Sequence, residues 1–227
     1  MDGLGCGKCQ ASWKIRPEKC SNSIKIVYIT FKWYNKSQRK KKMEGSNLVP
    51  FVREGLDILF VGLNPANGSD KNKHYFSVNQ SFWNQLFGAG LITEDVDKLS
   101  ADDEIFRKNE KNYKGWSYGI TDLVRNIVDS NSRNVKPSED DCKYLKEKIK
   151  KNSPKVVVFL HSKVKRSFLA YMGVKFEKNK YGEIGRIIEN CSTMFYVVPF
   201  PSDSHHDKQK KINCYKEIKD YLEKRLK

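Results

Sequence analysis

Apolar positions along the chain follow two rhythms. Three short continuous runs, Asp57-Ile58-Leu59-Phe60-Val61, Val156-Val157-Val158-Phe159-Leu160 and Met194-Phe195-Tyr196-Val197-Val198, lack polar alternation. This is the pattern of parallel strands buried on both faces. Between them the apolar residues recur at helical spacing. Phe82, Trp83, Leu86 and Phe87 mark one helix, stopped by Gly88 and Gly90. Ser138, with Asp141 three residues on, has the form of a capping box for a helix carrying Cys142, Leu145 and Ile149 on one face. A C-terminal helix places Ile212, Tyr215, Ile218, Leu222 and Leu226 on one stripe, with Lys and Glu opposite. Strands separated by helices predict an α/β fold, a parallel sheet with helices on both faces. Upstream, residues 24–34 alternate partially and predict a further strand, followed by the basic linker Gln38-Arg39-Lys40-Lys41-Lys42. The division expected is a basic, Cys-containing extension over residues 1–49 and the α/β domain over residues 50–227.

Composition narrows the class. Of 227 residues, 38% are hydrophobic and 12% aromatic, enough for a packed core and too apolar for a disordered chain. No apolar run approaches the roughly 18 to 20 residues of a membrane span. Met1-Asp2-Gly3-Leu4-Gly5-Cys6 lacks the basic and apolar regions of a secretory signal, so an intracellular protein is expected, cytoplasmic in a bacterium and nuclear in a eukaryote. The net charge is +16, and residues 1–49 carry 11 Lys and Arg against 3 Asp and Glu. An excess of that size suits a polyanionic partner, nucleic acid above all; a lysine-rich solvated surface is the alternative. Cys6 and Cys9, with Cys20 nearby, resemble half of a zinc knuckle, but a closed site needs four ligands and no His precedes His74. Free thiols and no bound metal are expected.

Ligands of open α/β sheets lie outside the carboxyl ends of the strands. Four turn-rich segments fall at or after strands: residues 62–68, 118–124, 160–163 and 199–206. A parallel sheet would gather them on one rim.

The residues of those segments resemble a known family. Residues 57–93 (DILFVGLNPANGSDKNKHYFSVNQSFWNQLFGAGLIT) are similar to the mismatch-specific uracil/thymine DNA glycosylases, which carry a Gly-Ile-Asn-Pro-Gly turn after the first strand, then an aromatic, then a Phe-Trp helix. The likeness continues through Tyr118-Gly119-Ile120-Thr121-Asp122-Leu123-Val124, through residues 154–168, and through Val198-Pro199-Phe200-Pro201-Ser202. Four ordered blocks cover residues 50–226 or so, and residues 1–49 lie outside them.

The resemblance implies a three-layer α/β/α sandwich around a parallel sheet of four or five strands. It also implies base flipping, because a base in a duplex must leave the stack before its glycosidic bond can be reached. Asn64 would position the attacking water, with Gly62 and Leu63 of the same turn against the base; its ordinary alternative is to satisfy backbone groups before Pro65. The aromatic under the flipped base would be Tyr75 or Phe76, with Phe76 favoured because stacking needs only a π face. Asp122 stands where relatives have Asn or Lys near the base edge. A carboxylate accepts hydrogen bonds but cannot donate to a carbonyl oxygen, so substrate choice or rate would change. An N-cap opening a helix at Leu123 is the alternative for Asp122. His161, Ser162 and Lys163 fall where the family contacts phosphate, and Ser202 opens the second motif. That motif departs from the family: Asp203, Ser204, His205 and His206 follow, with no Leu to fill the gap left by the flipped base. His205 or His206 would plug the stack, touch phosphate or stabilise the leaving base. Lys208, Lys210 and Lys211, with Lys163, are the expected phosphate contacts.

The function expected is a monofunctional glycosylase, needing no cofactor for hydrolysis, that cleaves the base–sugar bond of a deaminated base, uracil in a mismatch first, in double-stranded DNA as a monomer away from membranes. A catalytically weak nucleic-acid-binding module and a glycosylase for hypoxanthine are the alternatives.

Overall fold

The computed structural model describes residues 45–177, 179–202 and 207–225. The strand over residues 24–34, the cysteines 6, 9 and 20, the basic linker, residues 203–206 and Leu226 lie outside the described residues. Among the described residues no helix is long and apolar enough to cross a membrane.

Five strands form one sheet: β1 (Ile58–Gly62), β2 (Tyr118–Asp122), β3 (Val156–Phe159), β4 (Gly182–Gly185) and β5 (Met194–Val197), in the order β2-β1-β3-β5-β4. β1 runs parallel to β2 and β3, and β3 parallel to β5. β4 pairs antiparallel with β5, so the sheet is mostly rather than wholly parallel.

The continuous apolar runs follow from burial on both faces. Ile58, Phe60, Val156, Val158 and Tyr196 pack into one core with α2 (Ser81–Gly88) and α5 (Lys208–Arg225). Leu59, Val61, Val157, Phe159 and Phe195 pack into the other with α3 (Glu139–Asn152) and α4 (Ser162–Tyr171). A short helix, α1 (Asn67–Asn72), follows the turn after β1. The layers are therefore helix, sheet and helix.

The capping box at Ser138 is present: its hydroxyl accepts from the Asp141 N–H and the Asp141 carboxylate accepts from the Ser138 N–H. A cap of this kind is worth about 1 kcal/mol. In α5, Ile212, Tyr215, Ile218 and Leu222 are buried as the stripe requires. Lys211 shares that buried face at 1% exposure, which removes it from the phosphate contacts expected of it.

Two strands differ from the sequence reading. Residues 118–122 form β2 rather than a turn, and no helix opens at Leu123, so Asp122 is not an N-cap. Instead the Leu123 and Val124 N–H groups donate to the Gly62 and Leu63 carbonyls. Gly119 hides this strand from a hydrophobic pattern. The backbone at Phe51 bridges β2, and a Cβ on Gly119 would lie 2.2 Å from the Phe51 carbonyl oxygen. β4 holds only Glu183 and Ile184 between Gly182 and Gly185, the two glycines both at positive φ, too little to signal a strand in the sequence.

Candidate active site

The carboxyl ends of β1, β2, β3 and β5 open on one cavity of about 670 Å³. Each of the four turn-rich segments reaches it: Gly62, Leu63 and Asn64 from the first, Asp122 from the second, His161 and Ser162 from the third, Ser202 from the fourth. Tyr75 and Phe76 complete the wall beside α2.

Asn64 follows β1 directly, and its amide is held from one side. Nδ2 donates to the carbonyls of Pro65 (3.0 Å), Ile127 (3.2 Å) and Asp129 (2.8 Å). Three carbonyl acceptors fix which atom is nitrogen, because an oxygen there would meet three oxygens. Oδ1 is then the atom left to accept a hydrogen bond in the cavity. The same loop is knit to the turn by the Asp129 N–H donating to the Pro65 carbonyl and the Asn67 N–H donating to the Ser130 hydroxyl. Hydrogen bonds from Asn134 and Asn131 hold the Asp129 carboxyl below the usual carboxylate range, so an ionised group stands on this wall.

Asp122 ends β2 opposite Gly62 in the register. Its carboxyl lies across that glycine, where a Cβ would sit 2.3 Å from Oδ1. Any side chain there would displace the carboxyl. Asp122 is 6% exposed and its Oδ2 is buried without a hydrogen-bond partner. Burial pushes its pKa up to about 7, against the pull of the Arg125 charge and hydrogen bonding from Tyr75. Burial, followed by the charge of Asp122, drives the Tyr75 phenol far above its usual range, so that hydroxyl stays protonated.

Tyr75 and Phe76 divide the aromatic role. Tyr75 is 5% exposed and belongs to the core, while Phe76 is half-buried at the cavity. Phe76 stacks on Phe82 (4.2 Å between centroids, 24° between planes) and meets Trp83 edge-on. Its φ of +52° is unusual for an aromatic, and such strain persists only where neighbours enforce it. Asp102 supplies the enforcement: Oδ2 accepts the Tyr75 N–H and Oδ1 pairs with His74 Nδ1, each at 2.8 Å. His74, Asp102 and Asp103 form the one grouping dense enough for a metal among the described residues. Its bonds to its own backbone make it a clamp for the loop, away from the cavity wall.

A family comparison now bears on this geometry. The model of the uracil DNA glycosylase superfamily matches residues 49–223. The chain belongs to the uracil DNA glycosylase superfamily. Members act on DNA, and membership makes this chain a DNA glycosylase in general terms, a hydrolase with a role in DNA repair.

The glycosylase cavity treats the remaining expected residues unevenly. His161 caps α4, Nδ1 accepting the Lys163 N–H at 3.0 Å. Burial lowers its pKa to about 4, helped by the charges of Lys163 and Arg166. The imidazole is therefore neutral, with its proton on Nε2. The Lys163 ammonium donates to the carbonyls of Ser132 and Val135, which ties down the next loop instead of leaving the charge free for phosphate. Lys208 and Lys210 are exposed on the first turn of α5 and do not line the cavity. Asp203, Ser204, His205 and His206 lie outside the described residues. Sequence reading missed Asp129, Ser130 and Ser132, although the Asp-Ser-Asn-Ser run after β2 is a loop signature. It also missed Tyr181, which no local pattern marks.

Proposed function

We propose that this glycosylase removes uracil in a mismatch context from double-stranded DNA by monofunctional hydrolysis. One observation carries the reading: Asn64 Nδ2 is occupied by three carbonyls, so Oδ1 is fixed as an acceptor in the cavity. An acceptor there orients a water by taking one O–H while the oxygen lone pair faces the sugar.

The reaction then runs as follows. The C1′–N bond breaks and its electron pair leaves with the base. Water oxygen bonds to C1′, and its proton passes to solvent or to the departing base. An amide is a weak base, so Asn64 orients the water and the barrier is lowered chiefly by charge stabilisation. The Asp129 carboxylate, on a residue lining the cavity, would add negative charge near a cationic sugar, and the neutral His161 would supply an N–H donor without placing a charge on the base. The half-buried Phe76 offers a π face for a flipped base. Lys208 and Lys210 would approach phosphate from outside the cavity, with Ser162 and Ser202 nearer the rim. Hypoxanthine is the second reading, because it carries the same N–H and carbonyl edge as uracil toward Asp122.

The test is excision from labelled duplexes carrying uracil opposite guanine or adenine, thymine opposite guanine, or hypoxanthine, with Asn64→Ala alongside. Cleavage of uracil opposite guanine that falls at least about 100-fold in Asn64→Ala, with duplex binding retained, supports the proposal. Cleavage of hypoxanthine alone moves the substrate to the second reading. Binding without any cleavage overturns the enzymatic reading in favour of a binding module.

A further inference from the structure

Asp122 is a buried carboxyl that lines the large cavity. No ion pair joins it to a basic group among the described residues, because Arg125 turns to Tyr144, donating to its hydroxyl at 2.9 Å and lying over its ring. Gly62 and Tyr75, which both face the carboxyl, line the large cavity and not the smaller one behind β2. The carboxyl head is thus on the side of Asn64 and Phe76. Oδ2, buried and unpartnered, is the polar atom that a bound molecule would satisfy.

Charge decides what such a group can read. An ionised carboxylate presents acceptors only, and it would repel a carbonyl oxygen beside it. A neutral carboxylic acid presents one O–H donor next to one C=O acceptor. That pair matches an imide edge, where an N–H stands beside a carbonyl oxygen, with two parallel hydrogen bonds. Removing a carboxyl from water without a cation favours the neutral form.

We propose that Asp122 reads the base as a neutral carboxylic acid, accepting the imide N–H and donating to the adjacent carbonyl, so that its ionisation closes the cavity to imide bases. This rests on the glycosylase reading and names what sets its substrate. The charged and titratable groups around the carboxyl are Tyr75 from the loop after α1 and Arg125 from the segment after β2. Tyr144 and Lys148 of α3 line the small cavity behind it, and Asp129 and His161 stand across the large one. β1 contributes only Gly62. Of these, Tyr75 stays protonated and His161 stays neutral well below pH 7, so neither supplies a competing titration between pH 6 and 9.

Two measurements on the full chain test this. The first is the single-turnover excision rate on a uracil duplex from pH 6 to 9. Wild type should lose about tenfold per pH unit once Asp122 ionises, near pH 7. Asp122→Asn, whose amide keeps one donor and one acceptor at every pH, should flatten that decline. Parallel profiles in the two proteins overturn the proposal while leaving the glycosylase intact. The second is the ¹³C carboxyl titration of Asp122 by NMR, with and without free uracil. Uracil should raise the midpoint, because it binds the protonated form. An unmoved midpoint overturns the proposal. A raised midpoint in a protein that excises nothing keeps the base-reading role and removes the hydrolytic one.

Discussion

The ends of β1 and β2 sit side by side on one rim, yet they treat their polar residues in opposite ways. After β1, Asn64 has its donor nitrogen taken by three backbone carbonyls and a loop folded around it. At the end of β2, Asp122 is buried with an oxygen left unpartnered. The first arrangement spends the residue's hydrogen bonds on fixing its own direction, so the free acceptor is preorganised before any ligand arrives. The second holds an acceptor out of solvent, and a donor on a bound molecule would offset a desolvation cost of about 1 to 3 kcal/mol. On the proposed reading, a rigid water-holder and an unsatisfied base reader are different tools set side by side at the ends of neighbouring strands.

Replacing Asn64 by Asp attacks the rigid side hardest. An oxygen would then face the three carbonyls, and the expected loss is on the order of 4 kcal/mol in chemical denaturation together with excision reduced beyond about 100-fold. Stability equal to wild type would mean that the three hydrogen bonds do not hold the turn.

Gly62→Ala strikes the contact between the two strands. The new Cβ would lie 2.3 Å from Asp122 Oδ1, so the carboxyl must move. About 3 kcal/mol of stability and at least tenfold in excision should be lost. Wild-type kinetics in this variant would contradict the placement of the carboxyl over Gly62.

Asp122→Asn sharpens the unsatisfied side through its pH dependence. The folded carboxyl titrates at about 7, above the roughly 3.9 of an unfolded Asp. Between those values the folded state holds a proton that the unfolded state has released, so stability falls as pH rises from about 4 to about 7. The Asn variant lacks that fall. It should match wild type near pH 5 and exceed it at pH 8 by on the order of 2 kcal/mol, read from denaturant midpoints. A constant difference across that range would place the titration elsewhere.

His161 gives the smallest effect and the opposite sign. Its folded pKa of about 4 lies below the unfolded value near 6.5, so stability is lost as pH falls through that window. His161→Ala should cost about 1 kcal/mol at pH 8 through the lost cap on the Lys163 N–H, and less at pH 5. An equal cost at both values would show that the imidazole is not buried in its neutral form.

How much of this the sequence displayed depends on how local the cause is. Continuous apolar runs announced β1, β3 and β5, because burial on both faces writes itself into consecutive residues. Ser138 and Asp141 announced α3 because a capping box is complete within four residues. β2 stayed hidden because its second residue is Gly119, required by a backbone 68 positions earlier in the chain at Phe51. The rim itself was legible from turn residues and from the family likeness. Its fine structure was not: the Asn64 amide is fixed by carbonyls more than 60 residues away, and Lys163 is diverted from phosphate by Ser132 and Val135. Partners that distant leave no periodicity to read.

The most direct test of the account is a single-turnover excision measurement at pH 6.5 on a duplex with one uracil opposite guanine, comparing wild type with Asn64→Ala. The account predicts free uracil and an intact abasic strand from wild type, with a rate at least about 100-fold lower in the variant. Equal rates in the two proteins would contradict it, as would a wild type that binds the duplex and releases no base.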